Sequence, residues 1–279
     1  MQPVMLPSGT AGSPASLATF MAAASVTAYF SAAGDRNGFF SLIHKAAVVG
    51  ASFFLVKTQT LIGYTGSVLI LAAGTADYFR GRKAEKKEGS PLLLLITGMA
   101  AAYAYIIIKG FAVYDGEVIW TDGCVRLAAF GQYSTSIEGA VNIHDIKAVY
   151  PYLWGKAYSI IDQFGITGIG PDAFIFAERR GTLNDVPLSV DRPYNEYLYY
   201  AATYGIPAAV SLAAAFFYSS ANGVISAAKN RNWIFRAGAV IAVFYTVTAV
   251  ITNSTASVTP FIWFIMGICC CTLKDEEKA

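Results

Sequence analysis

Seven stretches of this sequence are apolar over close to the twenty or so residues that a helix needs to cross a bilayer. They are Pro14–Ala33, Phe39–Val56, Thr60–Phe79, Pro91–Ile108, Tyr197–Tyr218, Ala237–Thr252 and Val258–Leu273. Inside hydrocarbon, backbone N–H and C=O groups find no water, so such segments must satisfy themselves as helices. Composition agrees: 55% of the 279 residues are hydrophobic, 14% are charged, and mean hydropathy is +0.48. A soluble globule of this length needs a more polar skin, which excludes a soluble enzyme, and a disordered chain needs far fewer apolar residues. The expectation is an all-α polytopic membrane protein of about seven transmembrane helices. It divides into a four-span bundle over residues 1–108, a long extracytoplasmic loop domain over 109–196, and a three-span bundle with a short tail over 197–279.

Charge sets the orientation. Arg80, Arg82, Lys83, Lys86 and Lys87 crowd the third link, and Lys229, Arg231 and Arg236 the link after the fifth span. Arg36, Lys45, Lys274 and Lys278 fall on the same side, whereas the two short links opposite hold Lys57 and no other Lys or Arg. Basic residues stay cytoplasmic, so the N-terminus is expected outside and the C-terminus inside. Overall charge is only +2, too little for a nucleic-acid partner. The chain opens without the basic residues of a secretory signal peptide.

The external loop inverts the composition, with eleven Asp/Glu from Asp115 to Glu196 against six Lys/Arg from Arg126 to Arg192. Phe111–Trp120 alternates around Asp115-Gly116 and predicts a hairpin. Ile146, Val149, Tyr150, Leu153, Ala157, Ile160, Ile161 and Phe164 recur at helical spacing. They predict an amphipathic helix over Asp145–Phe164, kinked at Pro151, that lies on the membrane or caps the bundle. A tight loop with Gly165, Gly168, Gly170 and Pro171 ends it.

Common chemical motifs are missing: there is no GxxxxGK[ST], no HExxH and no paired CxxC. His44 and His144 are too far apart for a metal site, and Cys269–Cys271 reads as small apolar filler. Asp77 is expected to pair locally with Arg80. The informative stretch is Gly168-Ile169-Gly170-Pro171-Asp172-Ala173-Phe174, followed by Asp191-Arg192-Pro193-Tyr194-Asn195-Glu196-Tyr197-Leu198 and then Gly205. Over roughly Trp154 to Phe217 the chain resembles the O-antigen ligase/polymerase family. That family has a G-x-G-P-D-x-F turn after an amphipathic helix, a D-[KR]-P-H-N-x-Y-L segment entering a span, and a glycine ten residues past the Asn.

The resemblance implies glycan transfer from a polyprenyl-diphosphate-linked donor to an acceptor hydroxyl, in a bacterial inner membrane, during cell-surface polysaccharide assembly. It implies no cofactor and no metal. Arg192, Tyr194 and Asn195 take the catalytic positions; Arg126, Arg179, Arg180, Asp172 and Glu196 are the implied substrate-binding residues. Guanidinium forks suit a diphosphate, although each of these arginines also reads as a solvated face paired with the loop's acids. Tyr194 stands where the family has His, and a phenol is a poor base at neutral pH without nearby cations. Tyr150 falls where the family often has Arg, and Lys57-Thr58-Gln59-Thr60-Leu61 occupies the place of a Ser-Arg pair. These departures leave a rival open: a non-catalytic relative that binds glycan, lipid carrier or a partner subunit in the membrane. Tyr197, Tyr199, Tyr200 and Tyr204 read either as an interfacial belt or as a sugar-stacking surface. Asn195 is also a natural helix N-cap, and Glu196 and Asp191 are alternative bases or dipole-favoured acids at a helix start.

Overall fold

The computed structural model describes residues 14–34, 38–58, 60–83, 91–112, 146–174, 176, 182–183, 186–187, 192–229 and 232–270. Among these the fold is helical apart from one two-residue strand pair. The helices are α1 (Pro14–Gly34), α2 (Gly38–Lys57), α3 (Leu61–Lys83), α4 (Leu92–Ala112), α5 (Ile146–Phe164), α6 (Glu196–Tyr204), α7 (Ile206–Lys229), α8 (Trp233–Thr248) and α9 (Thr259–Cys270). Strands β1 (Thr182–Leu183) and β2 (Val186–Pro187) pair antiparallel within the loop.

Among the described residues three helices are long and apolar enough to cross a membrane, at Ala15–Gly34, Gly38–Lys57 and Ile206–Lys229. That is fewer than the seven expected. Leu92–Ile107, Trp233–Thr248 and Thr259–Cys270 are apolar but shorter. At 1.5 Å per residue the described lengths of α8 and α9 reach about 24 and 18 Å, short of a hydrocarbon core of about 30 Å. The segment expected as one span over Tyr197–Tyr218 is two helices, broken at Gly205. Of the hairpin expected over Phe111–Trp120, Phe111 and Ala112 are instead the last residues of α4, and the remainder lies outside the described residues.

One core holds the bundle together. Ala18, Ala22, Val26 and Tyr29 of α1 pack with Val48 and Leu55 of α2, Leu95 of α4, and Ile241 and Phe244 of α8. Small residues let helices approach closely, as membrane bundles require when lipid tails are as apolar as the side chains. At Gly98 of α4 an added Cβ would stand 2.5 Å from the Val49 carbonyl of α2, so a side chain there would force the two helices apart. At one end of the bundle Asp77 of α3 pairs with Arg236 of α8, whose guanidinium also lies over the Phe30 ring at 5.2 Å. Asp77 thus has a partner on a distant helix, where a local one was expected.

A second, smaller cluster sits at the other end. Helix α5 is described over Ile146–Phe164, where its apolar period predicts it, and accommodates Pro151 within its length. Its apolar face presents Ala157 and Ile160, which pack with Phe174, Tyr199 and Ala202. Phe174 is fully buried there, which contributes on the order of 2 kcal/mol. Through these residues α5 packs on α6.

Candidate functional site

The site is built where α6 stops and α7 starts. Two residues explain the break. Gly205 has φ of 90°, a left-handed conformation that only glycine takes without strain. Pro207 has no N–H, so the Thr203 carbonyl lacks the donor that an unbroken helix would supply. The loop after α5 supplies it: Gly170 N–H donates to the Thr203 carbonyl at 2.9 Å, and Ile169 N–H to the Ala202 carbonyl at 3.0 Å. In return, Ile206 N–H donates to the Gly165 carbonyl at 2.7 Å. The two strands of chain lie so close that a Cβ on Gly168 would stand 2.3 Å from the Thr203 oxygen, and one on Gly205 2.2 Å from the Ile166 oxygen. The glycines of the G-x-G-P-D-x-F turn and the glycine ten residues past Asn195 therefore act as one splint.

This splint delivers Asp172 to α6. Asp172 is solvent-exposed and has φ of 54°, which Asp tolerates better than most residues. It is held from both sides, by the backbone bonds of Ile169 and Gly170 before it and by buried Phe174 after it. Its Oδ1 accepts a hydrogen bond from the Tyr199 hydroxyl at 3.1 Å. Burial, followed by that hydrogen bond, pushes the Tyr199 phenol up to about 12, against a smaller opposing influence from Arg192. The phenol stays protonated and donates.

The opposite end of α6 gathers the second motif. Asn195 is the N-cap: its backbone is extended and its Oδ1 accepts from Leu198 N–H at 3.0 Å. Tyr194 precedes it, half-buried, with φ of 51°. The Trp154 indole of α5 donates to the Pro193 carbonyl at 3.1 Å, fixing the approach to the cap. Arg192 donates from Nη1 to the Ser254 carbonyl at 2.8 Å, and its guanidinium lies over the Tyr199 ring, 5.2 Å from the centroid. One tyrosine thus carries the arginine on its face and the aspartate at its hydroxyl.

Glu196 differs. It is 1% exposed; its Oε2 accepts from the Tyr245 hydroxyl of α8 at 3.1 Å, and its backbone N–H donates to the Ala249 carbonyl at 2.8 Å. Burial pushes this carboxyl above the usual range, opposed by hydrogen bonding from Tyr245 and Ser254 and by the Arg192 charge. A carboxyl sealed in this way has no route to a substrate hydroxyl. Its geometry ties α6 to α8 and holds a negative charge, or a proton, behind Arg192.

Of the residues singled out in the sequence, the structure brings together Asp172, Arg192, Tyr194, Asn195 and Glu196. Arg126, Arg179, Arg180 and Asp191 lie outside the described residues. The four tyrosines of α6 divide: Tyr199 is buried, Tyr197 and Tyr200 are half-buried, and Tyr204 alone is exposed. The Tyr197 hydroxyl donates to the Thr246 carbonyl at 2.9 Å, so it serves the end of α8. Tyr245 and Ser254 belong to the site and were missed. Nothing local marks Tyr245 within an apolar helix, and Ser254 acts through its main chain on Arg192 and through both main chain and side chain on Glu196.

No protein-family model matches this chain, and neither a curated protein nor a solved structure does.

Proposed function

We propose that this chain is a membrane-embedded glycan transferase of the O-antigen ligase or polymerase kind. A donor sugar linked to polyprenyl diphosphate is attacked at its anomeric carbon by an acceptor hydroxyl. The observation that carries the reading is the clustering of an arginine, a capped helix start and an open carboxylate around α6, immediately before the membrane-length helix α7. A polyprenyl chain in the bilayer would bring its diphosphate to that depth.

In this reading Arg192 binds the diphosphate, since a guanidinium keeps its charge and offers paired donors to phosphate oxygens. Asn195 fixes the start of α6, whose N-terminal dipole favours an anion. Trp154 and Ser254 hold Arg192 and its flanking turn in place. In this reading the membrane-length helices α1, α2 and α7 cross the bilayer, α3 and the shorter apolar helices α4, α8 and α9 complete the seven expected spans beside them, and the α5–α6 region is extracytoplasmic. In support, the contacts of Asp77 with Arg236 and of Gly34 with Trp233 gather the ends of the basic links at one end of the bundle.

A second reading, a non-catalytic relative that binds the lipid-linked donor, is favoured by two observations: Glu196 is sealed and Tyr194 replaces the family's His. The test is release of polyprenyl diphosphate from a lipid-linked oligosaccharide by the purified protein in nanodiscs. Turnover that falls at least about tenfold in Arg192→Lys, a change that keeps the charge but loses the fork, supports the transferase. Turnover only after Tyr194→His, or donor binding without turnover in both proteins, supports the binder.

A further inference from the structure

We propose that the Asp172 carboxylate is the group that takes the acceptor's proton, with Tyr199 as its positioning residue. The inference rests on the glycan-transfer reading and supplies what that reading lacks, a base.

Besides the tyrosines of α6, whose phenols are weak bases, three described groups near Arg192 could accept a proton, and their surroundings separate them. Tyr194 is a phenol. Glu196 is 1% exposed and faces Tyr245. Asp172 alone is a carboxylate open to solvent. It is nevertheless not loose: the Ile169 and Gly170 backbone bonds anchor the turn before it and Phe174 the turn after it. The Tyr199 hydroxyl then occupies one side of Oδ1 at 3.1 Å, which fixes the carboxylate's rotation and leaves Oδ2 for another donor. A non-glycine residue held at φ of 54° by an overdetermined turn is the kind of local strain found where a side chain must be aimed.

The same tyrosine supports Arg192 on its ring face at 5.2 Å. Displacement at an anomeric carbon needs two things near each other, a cation for the departing diphosphate and a base for the incoming hydroxyl. Tyr199 holds one of each. The balance is simple. The acceptor oxygen forms a bond to the anomeric carbon while its proton passes to Asp172. The bond from that carbon to the diphosphate oxygen breaks, and its electron pair leaves on the diphosphate, which Arg192 meets. Carboxylates perform the same service for water in inverting glycoside hydrolysis.

The experiment uses the full chain in nanodiscs with a lipid-linked oligosaccharide that a competent family member consumes. It compares Asp172→Asn, Asp172→Gly and Tyr199→Phe. Asn tolerates the left-handed backbone and Gly relaxes it, so both variants keep the turn. Expected for Asp172→Asn is a loss of kcat of about 10²- to 10⁴-fold, the range that proton transfer supplies, with donor affinity unchanged. Asp172→Gly regains turnover with added formate, because the missing side chain leaves room for a small carboxylate. Tyr199→Phe lowers kcat about tenfold with KM unchanged, since a misaimed base slows chemistry and leaves binding alone. Native-like turnover in Asp172→Asn overturns this proposal and leaves the transferase reading standing. Loss of donor binding in that variant overturns it too, making the carboxylate part of the binding surface. Absence of turnover in the native chain overturns the transferase reading, and the base with it.

Discussion

The N-terminal helices and the region around α6 use their polar side chains in opposite ways. In α1–α4 most hydroxyls turn back on their own helix: Thr19 bonds the Ala15 carbonyl, Ser25 that of Met21, Ser67 that of Gly63 and Thr97 that of Leu93. Such bonds hide a polar group and specify nothing about a neighbour. Around α6 the bonds run between elements far apart in sequence: Trp154 to Pro193, Arg192 to Ser254, Tyr199 to Asp172, Tyr197 to Thr246 and Tyr245 to Glu196. The first pattern makes a bundle that can sit in lipid. The second fixes side chains to within the tolerance that chemistry demands. Where a chain concentrates its long-range polar bonds is therefore where its function is to be sought.

The sharpest way to break the comparison is at the splint. Gly168→Ala and Gly205→Ala each place a Cβ under 2.5 Å from a backbone oxygen and force alanine to positive φ. Each is expected to destabilise by at least about 3 kcal/mol, the upper part of the range for single substitutions. Loss of cooperative thermal unfolding in detergent reads it. The contrasting variant is Gly50→Ala in α2, which meets nothing within 4 Å and should gain about 0.5–1 kcal/mol from helix propensity. Equal behaviour of the two classes would remove the splint from the argument.

Next in size is the ion pair by which Asp77 of α3 reaches across the bundle to Arg236 of α8. Asp77→Asn leaves Arg236 charged and half-buried without its partner, and Arg236→Met does the same to Asp77. Each single change is expected to cost about 2 kcal/mol, below the 3–5 of a fully buried pair because neither side chain is sealed. The double variant should be more stable than the sum of the singles. Additive losses would mean that the two groups do not act as a unit.

Local pattern and long-range partner choice differ in how legible they were. Apolar runs place α1 and α2 to within a residue because hydropathy and length are properties of the segment itself. The amphipathic period of α5 and the Asn195 cap were readable for the same reason. The break at Gly205 was missed, since average hydropathy runs straight through Gly205 and Pro207. The partner of Asp77 was misassigned because Arg80 is near in sequence, while Arg236 is near only once α3 and α8 pack. The Asp172–Tyr199 bond spans 27 positions, and no periodicity joins them. Among the acids, composition could list Asp172 and Glu196 as equals; only burial separates an open carboxylate from a sealed one.

That separation has a pH signature. Burial raises the Glu196 carboxyl above its ordinary value of 4.5, so the folded state holds this proton at pH values where the unfolded chain has released it. Stability from this group is complete below about 4.5 and is lost as pH rises through the folded value, about 1.4 kcal/mol for each unit of elevation. Glu196→Gln should flatten that part of the stability profile in thermal unfolding across pH 4 to 8. Tyr245→Phe, by removing a donor to the charged form, should steepen it. A profile unchanged by either variant would place Glu196 in water.

The smallest expected effect tests the two bonding patterns directly. Helix α8 ends at Thr248, and the carbonyls of its last turn need outside donors. Ala249 and Ile251 N–H groups serve Tyr245 and Thr248, but Thr246 receives the Tyr197 hydroxyl from α6. Tyr197→Phe keeps the ring and its edge contact with Phe216 and leaves that carbonyl short of a donor, a loss of about 1 kcal/mol. Thr97→Val in α4 removes only a bond to its own helix, on an exposed face, and should change stability by less than about 0.5 kcal/mol. Urea or mixed-micelle unfolding of the two single variants and their double resolves that difference. If Thr97→Val costs as much as Tyr197→Phe, local and long-range bonds are energetically alike, and the concentration of the latter around α6 loses its meaning as a guide to the site.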